Sequence, residues 1–135
     1  MLPRRRVLHR TPFEERPPEA GSRRWLVAEL DRLVSVIVRR RDRRCVTCGE
    51  ALGLQCSHFY SRRYLRTRFD LSNCNAMCAA CNRRHNEDPE PYLRFMVERY
   101  GGEAVAELDV LRNDARKVAD EELLLALEGL KAARK

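Results

Sequence analysis

Lysine is scarce in this chain, and long apolar runs are missing. The 135 residues contain 24 arginines but only three lysines, so arginine carries almost all of the positive charge. No segment approaches the roughly 18 consecutive apolar residues that mark a membrane-spanning helix. The basic start Met-Leu-Pro-Arg-Arg-Arg is not followed by the apolar stretch of a secretory signal. We therefore expect a cytoplasmic protein with no membrane partner, whose length allows a single domain.

The positive charge is concentrated in one half of the chain. Residues 1–70 contain 17 arginines and eight acidic residues, a net charge of +9. Residues 71–135 contain ten basic and 12 acidic residues, a net charge of −2. A basic half of this kind suits a polyanion. Because arginine forks onto phosphate oxygens and stacks on bases, nucleic acid is a better expected partner than an anionic membrane.

Four of the six cysteines form two Cys-x-x-Cys pairs, Cys45 with Cys48 and Cys78 with Cys81. In a chain without a secretory signal, such pairs indicate metal binding rather than disulfides. Two pairs together supply the four thiolates of a tetrahedral structural zinc site. We therefore expect a structural Zn²⁺ that holds the intervening segment in place.

Periodicity and turn residues predict helices on both sides of two short strands. Residues 1–21 contain four prolines and five arginines, which indicates a basic, flexible arm. Helical spacing predicts a helix over residues 22–41, although its run of β-branched residues also suits a strand. Strands are expected over 52–60 and 71–77, with Cys56 and Cys74 as small core residues and a basic loop between them. Further helices are expected from about Cys78, from Pro89 to Gly101 with Asp88 as the cap, and over 103–113 and 120–133.

The C-terminal segment, residues 113–135, carries one apolar stripe on its predicted helix. The stripe consists of Leu123, Leu127 and Leu130. It suits packing on the rest of the chain, and it also suits a contact with a partner such as a second copy of the chain.

The segment between the cysteine pairs carries histidine and asparagine at an informative spacing. His58 is followed by Asn73 at +15, Asn82 at +24, His85 at +27 and Asn86 at +28. This order resembles the HNH endonuclease motif, the ββα-metal fold. The resemblance implies an α+β fold with a small zinc-stapled, treble-clef-like core and flanking N- and C-terminal helices.

The surrounding residues narrow the resemblance to one family. The segments Cys45-Val-Thr-Cys48-Gly49, Ser57-His58-Phe59-Tyr60-Ser61-Arg62-Arg63, Arg68-Phe69-Asp70-Leu71-Ser72-Asn73 and Cys78-Ala-Ala-Cys81-Asn82 are similar to the bacteriophage NinG (Rap) recombination nuclease family. The likeness implies a nuclease domain over 22–112. It also implies a phage-encoded enzyme that cleaves branched intermediates, such as Holliday junctions or D-loops, in the host cytoplasm.

Hydrolysis of a phosphodiester gives the motif residues distinct expected roles. His58 is the candidate general base, because imidazole titrates near the working pH, and Asn73 would orient its ring. Asn82, with either His85 or Asn86 on the same helix, would bind a catalytic Mg²⁺ or Mn²⁺. Cleavage by this route leaves 3′-hydroxyl and 5′-phosphate ends.

Exposed basic and aromatic residues around the motif are candidates for DNA contacts. Tyr60 and Tyr64 are candidates for stacking on unpaired bases of a branched or partly single-stranded DNA. The expected phosphate contacts are Arg62, Arg63, Arg66, Arg68, Arg83 and Arg84. Other recombination proteins are further candidate partners.

Ser57 departs from the HNH pattern. Many HNH enzymes place Asp, Glu or His immediately before the base histidine as a metal ligand, and a hydroxyl is a weak ligand. The alternative interpretation is therefore a non-catalytic zinc-containing module that binds nucleic acid. A sequence-specific restriction or homing nuclease is less favoured, since 135 residues leave no room for a separate reading domain.

Overall fold

The computed structural model describes residues 16–134 and combines helices with one small sheet, which confirms the expected mixed α and β composition. Most of the predicted basic arm, residues 1–21, lies outside the described residues. No helix in the described range is both long and apolar enough to cross a membrane. In chain order the elements are α1 (Arg23–Asp42), β1 (Gln55–His58), α2 (Leu65–Arg68), β2 (Cys74–Met77), α3 (Ala79–His85), α4 (Glu90–Tyr100), α5 (Gly102–Arg112) and α6 (Asp120–Ala133).

The helix α1 forms where apolar periodicity predicts it. Ser22 caps its first turn, with the Ser22 hydroxyl accepting a hydrogen bond from the Trp25 N–H at 3.2 Å. The β-branched run is helical because Val34 and Val38, one turn apart, are both buried in the core. Tertiary burial thus outweighs the strand preference of these residues.

The sheet consists of β1 and β2 in antiparallel register, with Cys56 opposite Ala76 and His58 opposite Cys74. Every residue of β2 is buried, because alternate side chains enter the two cores on either face. Both strands are shorter than predicted. Gly53 adopts a left-handed φ of 64° before β1, and a turn closed by the Asn73 N–H on the Asp70 carbonyl precedes β2.

Two apolar cores flank the sheet. The first joins α1, α6 and one face of β2, and the second joins the other face of β2 to α4 and α5. The stripe of α6 enters the first core, where Leu123, Leu127 and Leu130 are 2%, 1% and 7% exposed. The interpretation of this stripe as a dimer contact is therefore wrong, because it packs on α1 of the same chain.

Three predicted boundaries differ from the structure. The expected loop over 61–70 contains α2, whose buried Thr67 donates its hydroxyl hydrogen bond to the Tyr64 carbonyl at 3.3 Å. Pro89 is the cap of α4 rather than its first residue, while the Asp88 carboxylate accepts from the Glu90 N–H at 3.2 Å. Gly101 alone separates α4 from α5, because its φ of 87° breaks the helix.

Candidate functional site

The four paired cysteines converge on one point. The Sγ atoms of Cys45, Cys48, Cys78 and Cys81 all lie within 4.8 Å of one another, and the Cys48 and Cys78 sulfurs are 3.7 Å apart. A tetrahedral zinc site with Zn–S bonds of about 2.3 Å has sulfur–sulfur edges of about 3.8 Å. The cluster therefore has the composition and dimensions to hold a metal such as zinc.

Local backbone geometry creates this convergence. The first pair lies in a tight turn, where the Gly49 N–H donates to the Cys45 carbonyl at 2.9 Å and Gly49 has a φ of 81°. The second pair lies at the start of α3, where the Cys78 sulfur caps the helix and accepts from the Cys81 N–H at 3.5 Å. The positive end of a helix favours thiolate over thiol.

The thiols of Cys45 and Cys81 have pKa values on opposite sides of the ordinary cysteine value. Burial raises the pKa of Cys45, but hydrogen bonds from Thr47 and from nearby backbone N–H groups outweigh it and bring the pKa to about 6. At Cys81 the hydrogen bond with Thr47 lowers the pKa. Burial and the three neighbouring cysteines outweigh that effect and raise the Cys81 pKa to about 12. Cys45 thus loses its proton readily, whereas Cys81 keeps its proton, because crowded thiolates repel one another. A bound cation would relieve this repulsion.

A polar cleft of about 370 Å³ lies between β1 and α3. It brings together four of the predicted site residues, His58, Asn82, His85 and Asn86, together with Arg62 from the following loop. Residues 24 to 28 positions apart in the sequence therefore share one concave surface. The full lining is Cys56, His58, Phe59, Ser61, Arg62, Asn82, His85 and Asn86.

The His58 ring is held in one tautomer. Its Nε2 atom lies 3.0 Å from the backbone carbonyl oxygen of Arg68. Because a carbonyl oxygen only accepts, Nε2 carries the proton and Nδ1 has a free lone pair in the neutral ring. Burial lowers the pKa of His58 below its ordinary value, with Arg62 and Arg68 adding to this effect and the Arg68 carbonyl and Asp31 opposing it. At neutral pH the ring is therefore mainly an uncharged base.

Asn73 fixes the loop beside His58 rather than the ring itself. Its side chain is 0% exposed, and its Oδ1 accepts from the Tyr60 N–H at 2.9 Å. Its Nδ2 donates to the carbonyls of Tyr60 and Thr67, both at 3.1 Å. Within the described part of the chain, the expected hydrogen bond to the imidazole is not formed. Asn73 instead holds the segment that ends at Arg68, whose carbonyl orients His58.

Asn82 is linked to β1 through two polar side chains. Its Oδ1 accepts from the Ser57 hydroxyl at 2.7 Å, and its Nδ2 donates to Gln55 Oε1 at 2.9 Å. Ser57 is 0% exposed, so its hydroxyl contacts Asn82 and does not reach the cleft. An amide oxygen has two lone pairs, so Asn82 Oδ1 keeps one for a cation.

His85 and Asn86, the two alternatives for the next metal ligand, lie in different environments. His85 Nε2 donates to the Phe59 carbonyl at 2.8 Å, and its ring packs against those of Phe59 and Tyr92. Its Nδ1 is buried and has no hydrogen-bond partner among the described residues. Asn86 is exposed at the end of α3. His85 therefore contacts the residue that follows β1, whereas the Asn86 side chain is exposed to solvent.

Two of the six candidate phosphate-binding arginines are largely buried by contacts within the chain. Arg68, with a side chain 18% exposed, pairs with Asp31 of α1 at 2.6 Å. Arg66, with a side chain 14% exposed, donates to the Arg116 carbonyl at 2.9 Å and pairs with Glu122 at 3.4 Å. These residues hold the loop against distant elements. Arg62, Arg63, Arg83 and Arg84 remain exposed at the surface.

The tyrosines proposed to stack on bases already have an arginine neighbour. The Arg112 guanidinium lies 4.4 Å from the centre of the Tyr60 ring and 5.3 Å from that of Tyr64.

Asp31 pairs with both Arg62 and Arg68 but was not predicted from the sequence to have a role at the site. It lies 27 residues before His58 and has no motif that would have singled it out.

The fold and the site define a small protein of helices and one two-stranded sheet, with a cysteine cluster that could hold a metal and an adjacent polar cleft. The chain belongs to the NinG family, since the family model described as "Bacteriophage Lambda NinG protein" matches residues 5–135. The resemblance drawn from the sequence motifs is thereby confirmed at the level of this family.

Curated relatives agree with this assignment. Protein ninG of Escherichia phage 933W is 28% identical over 104 residues, which cover 73% of this chain and 52% of the relative. Protein ninG of Salmonella phage P22 is 28% identical over 92 residues, covering 64% and 45%. That of Escherichia phage lambda is 27% identical over 104 residues, covering 73% and 51%. The chain thus spans about half the length of these relatives. No solved structure matches it significantly.

Proposed function

We propose that this chain is a metal-dependent DNA endonuclease of the HNH type that acts on branched recombination intermediates such as Holliday junctions or D-loops. The observation that supports this best is the cleft between β1 and α3. There His58, whose Nε2 donates to the Arg68 carbonyl, lines the same concavity as Asn82 and Asn86. A general base next to oxygen donors for a hard cation is what phosphodiester hydrolysis requires.

In this mechanism His58 Nδ1 accepts the proton of the attacking water while the Arg68 carbonyl holds the ring. Asn82 and Asn86 would hold a Mg²⁺ or Mn²⁺, which would supply positive charge to stabilise the negative charge that develops during hydrolysis. Arg62 at the mouth of the cleft binds a phosphate of the DNA backbone. The products carry 3′-hydroxyl and 5′-phosphate ends.

The donors in the cleft explain how the cation would be bound. Both amides are neutral, so they bind Mg²⁺ weakly, and the anionic phosphate of the substrate supplies the missing charge. We expect metal and DNA to bind cooperatively for this reason. The catalytic cation would then be bound firmly only in the complex with DNA.

The cysteine cluster has a structural role in this proposal. Zinc on Cys45, Cys48, Cys78 and Cys81 would tie the turn before β1 to the first turn of α3. Because Asn82 directly follows the last of these cysteines, the cluster sets its position relative to His58. The assignment of the core as a ββα-metal, treble-clef-like unit belongs to the same proposal.

A second candidate function is supported by a specific feature of the cleft. Among the described residues that line it, none is a carboxylate, and Ser57 occupies the position where many HNH enzymes have a stronger ligand. A module that binds branched DNA without cutting it would need no strong metal ligand in this cleft. Binding to DNA is common to both functions, whereas turnover separates them.

The test is an assay of end-labelled DNA substrates with Mg²⁺, Mn²⁺ or EDTA. The substrates are a four-way junction, a D-loop, a single strand and a linear duplex of the same sequence. The proposed enzyme cuts the branched substrates with either metal, leaves 5′-phosphate ends and is inactive in EDTA. Tight binding without cleavage in any condition would establish the non-catalytic alternative. Absence of both binding and cleavage would overturn the proposal.

A further inference from the structure

A second group of metal-ligating atoms lies beside the cleft, apart from the four-cysteine cluster. Within residues 16–134, the sulfurs of Cys56 and Cys74 and a ring nitrogen of His58 lie within 4.8 Å of one another. The sheet register produces this grouping. His58 is directly opposite Cys74, and Cys56 precedes His58 by two positions and so shares its face.

All three donors prefer the same class of cation. Thiolate and imidazole bind Zn²⁺ and other thiophilic cations, whereas Mg²⁺ and Mn²⁺ prefer oxygen donors. The separations, none above 4.8 Å, compare with sulfur–sulfur edges of about 3.8 Å in a tetrahedral zinc site. The Arg68 carbonyl accepts from His58 Nε2 at 3.0 Å, which is the outer hydrogen bond typical of a metal-binding histidine, and from the Cys74 sulfur at 3.3 Å.

The site opens to solvent at two of its three residues. Cys74 is 0% exposed, whereas Cys56 and His58 are partly exposed and line both the cleft and an adjoining depression beside α1. A cation therefore reaches the Cys74 sulfur past Cys56 and His58. With three protein ligands, the fourth coordination position is left to water.

We propose that Cys56, His58 and Cys74 form a second, regulatory site for a thiophilic divalent cation, Zn²⁺ in the cell, whose occupancy takes His58 out of catalysis. Binding of the cation displaces one proton from each thiol and occupies the lone pair of His58 Nδ1. Both displaced protons pass to solvent, and no oxidant is consumed. The inhibition rests on the proposed endonuclease function, but the binding of the cation does not.

The two classes of cation then have opposite effects at neighbouring positions. Mg²⁺ on the amides of Asn82 and Asn86 supports hydrolysis, and Zn²⁺ on the sulfurs of Cys56 and Cys74 prevents it. Six cysteines are thereby divided between a closed structural cluster and an open inhibitory one. Zinc is expected to be held more weakly at the second site, which has two thiolates rather than four.

The binding test uses Co²⁺ as the probe, on full-length protein that already carries one zinc per chain. Thiolate ligands give bound Co²⁺ a charge-transfer absorption in the near ultraviolet, and the retained zinc is measured by mass spectrometry of the metals. We expect wild-type protein to gain this band with one further equivalent of Co²⁺ while keeping its zinc. Cys56→Ser, a substitution at a partly exposed position, should lose the band. His58→Gln should weaken Co²⁺ binding and alter the visible spectrum.

Absence of the band in wild type would overturn the proposed site, and so would an equal band in wild type and Cys56→Ser. A separate measurement compares junction cleavage with and without Zn²⁺ beyond one equivalent, each variant being normalised to its own zinc-free rate. Zinc should inhibit wild type strongly and Cys56→Ser much less. Cobalt binding without zinc inhibition would overturn the regulatory role. If wild type cuts no DNA, the nuclease proposal fails, while the cobalt titration still decides the metal site.

Discussion

Replacing Asn73 with alanine should reduce both stability and cleavage, for one structural reason. The Asn73 amide makes three hydrogen bonds with the backbone of Tyr60 and Thr67. Each such bond contributes about 1 kcal/mol net, so we expect the free energy of unfolding to fall by about 3 kcal/mol. The loop that ends at Arg68 then loses its anchor. A displacement of His58 by about 1 Å would slow cleavage by about 100-fold.

Two further variants separate stability from positioning. Asn75→Ala removes an equally buried amide that lies outside the cleft lining and bonds with Ser72, Tyr92, Arg41 and Tyr100. It should cost at least as much free energy of unfolding but leave the cleavage rate of folded protein unchanged. His58→Ala loses one hydrogen bond, so it should cost only about 1 kcal/mol while slowing cleavage by about 100- to 10,000-fold.

Urea denaturation and single-turnover cleavage measure these quantities, both with one equivalent of zinc per chain and at a temperature where every variant is folded. The reasoning is refuted if Asn73→Ala unfolds at the wild-type urea concentration. It is also refuted if folded Asn73→Ala cleaves at the wild-type rate, because the anchored loop would then have no influence on His58.

Three other predictions address the scaffold and the surface. The Asp42 carboxylate, 1% exposed, is raised in pKa by burial, but hydrogen bonds from Arg41, the Ala76 N–H and Arg99 outweigh this and lower the pKa. Asp42→Asn should therefore cost about 3 kcal/mol at neutral pH. The difference should begin to shrink below about pH 4, the ordinary pKa of the carboxyl, and be lost as the pH falls through the lower pKa of folded Asp42, which urea denaturation at several pH values will show. Combining Cys48→Ser with Cys81→Ser should abolish zinc binding and lower the Tm by about 10 °C or more, as seen in metal analysis and thermal melts; unchanged zinc content would exclude the cluster. Arg62→Ala should weaken junction binding and reduce its salt slope by about one, whereas Arg94→Ala, on α4 beside Glu90, should leave both unchanged; equal effects of the two substitutions would remove Arg62 from the interface.

Features set by local sequence spacing were predictable. The helix α6 has the predicted bounds, and α1 differs by one residue at each end, because apolar positions recur at helical spacing in both. The cysteine cluster could be predicted from the two Cys-x-x-Cys pairs, since that spacing places both sulfurs of a pair on one side of a tight turn. The resemblance to the HNH motif singled out His58, Asn82, His85 and Asn86, and all four line the cleft.

Features set by distant contacts were not predictable. The pairing of Arg68 with Asp31 joins a loop to α1 across 37 residues, and that of Arg66 with Glu122 spans 56. No local pattern distinguishes these arginines from Arg62, which stays exposed. Asn73 shows the same limit, because its position was informative but its partners depend on how the loop over 60–67 folds back onto it.

The most direct test of the account is the single-turnover rate at which wild type and His58→Ala cleave a four-way junction with Mg²⁺, measured beside the junction Kd of each. With His58 as the general base, the variant should cleave about 100- to 10,000-fold more slowly while binding the junction as tightly as wild type. Equal cleavage rates at equal occupancy would contradict the assignment of His58 and with it the proposed mechanism.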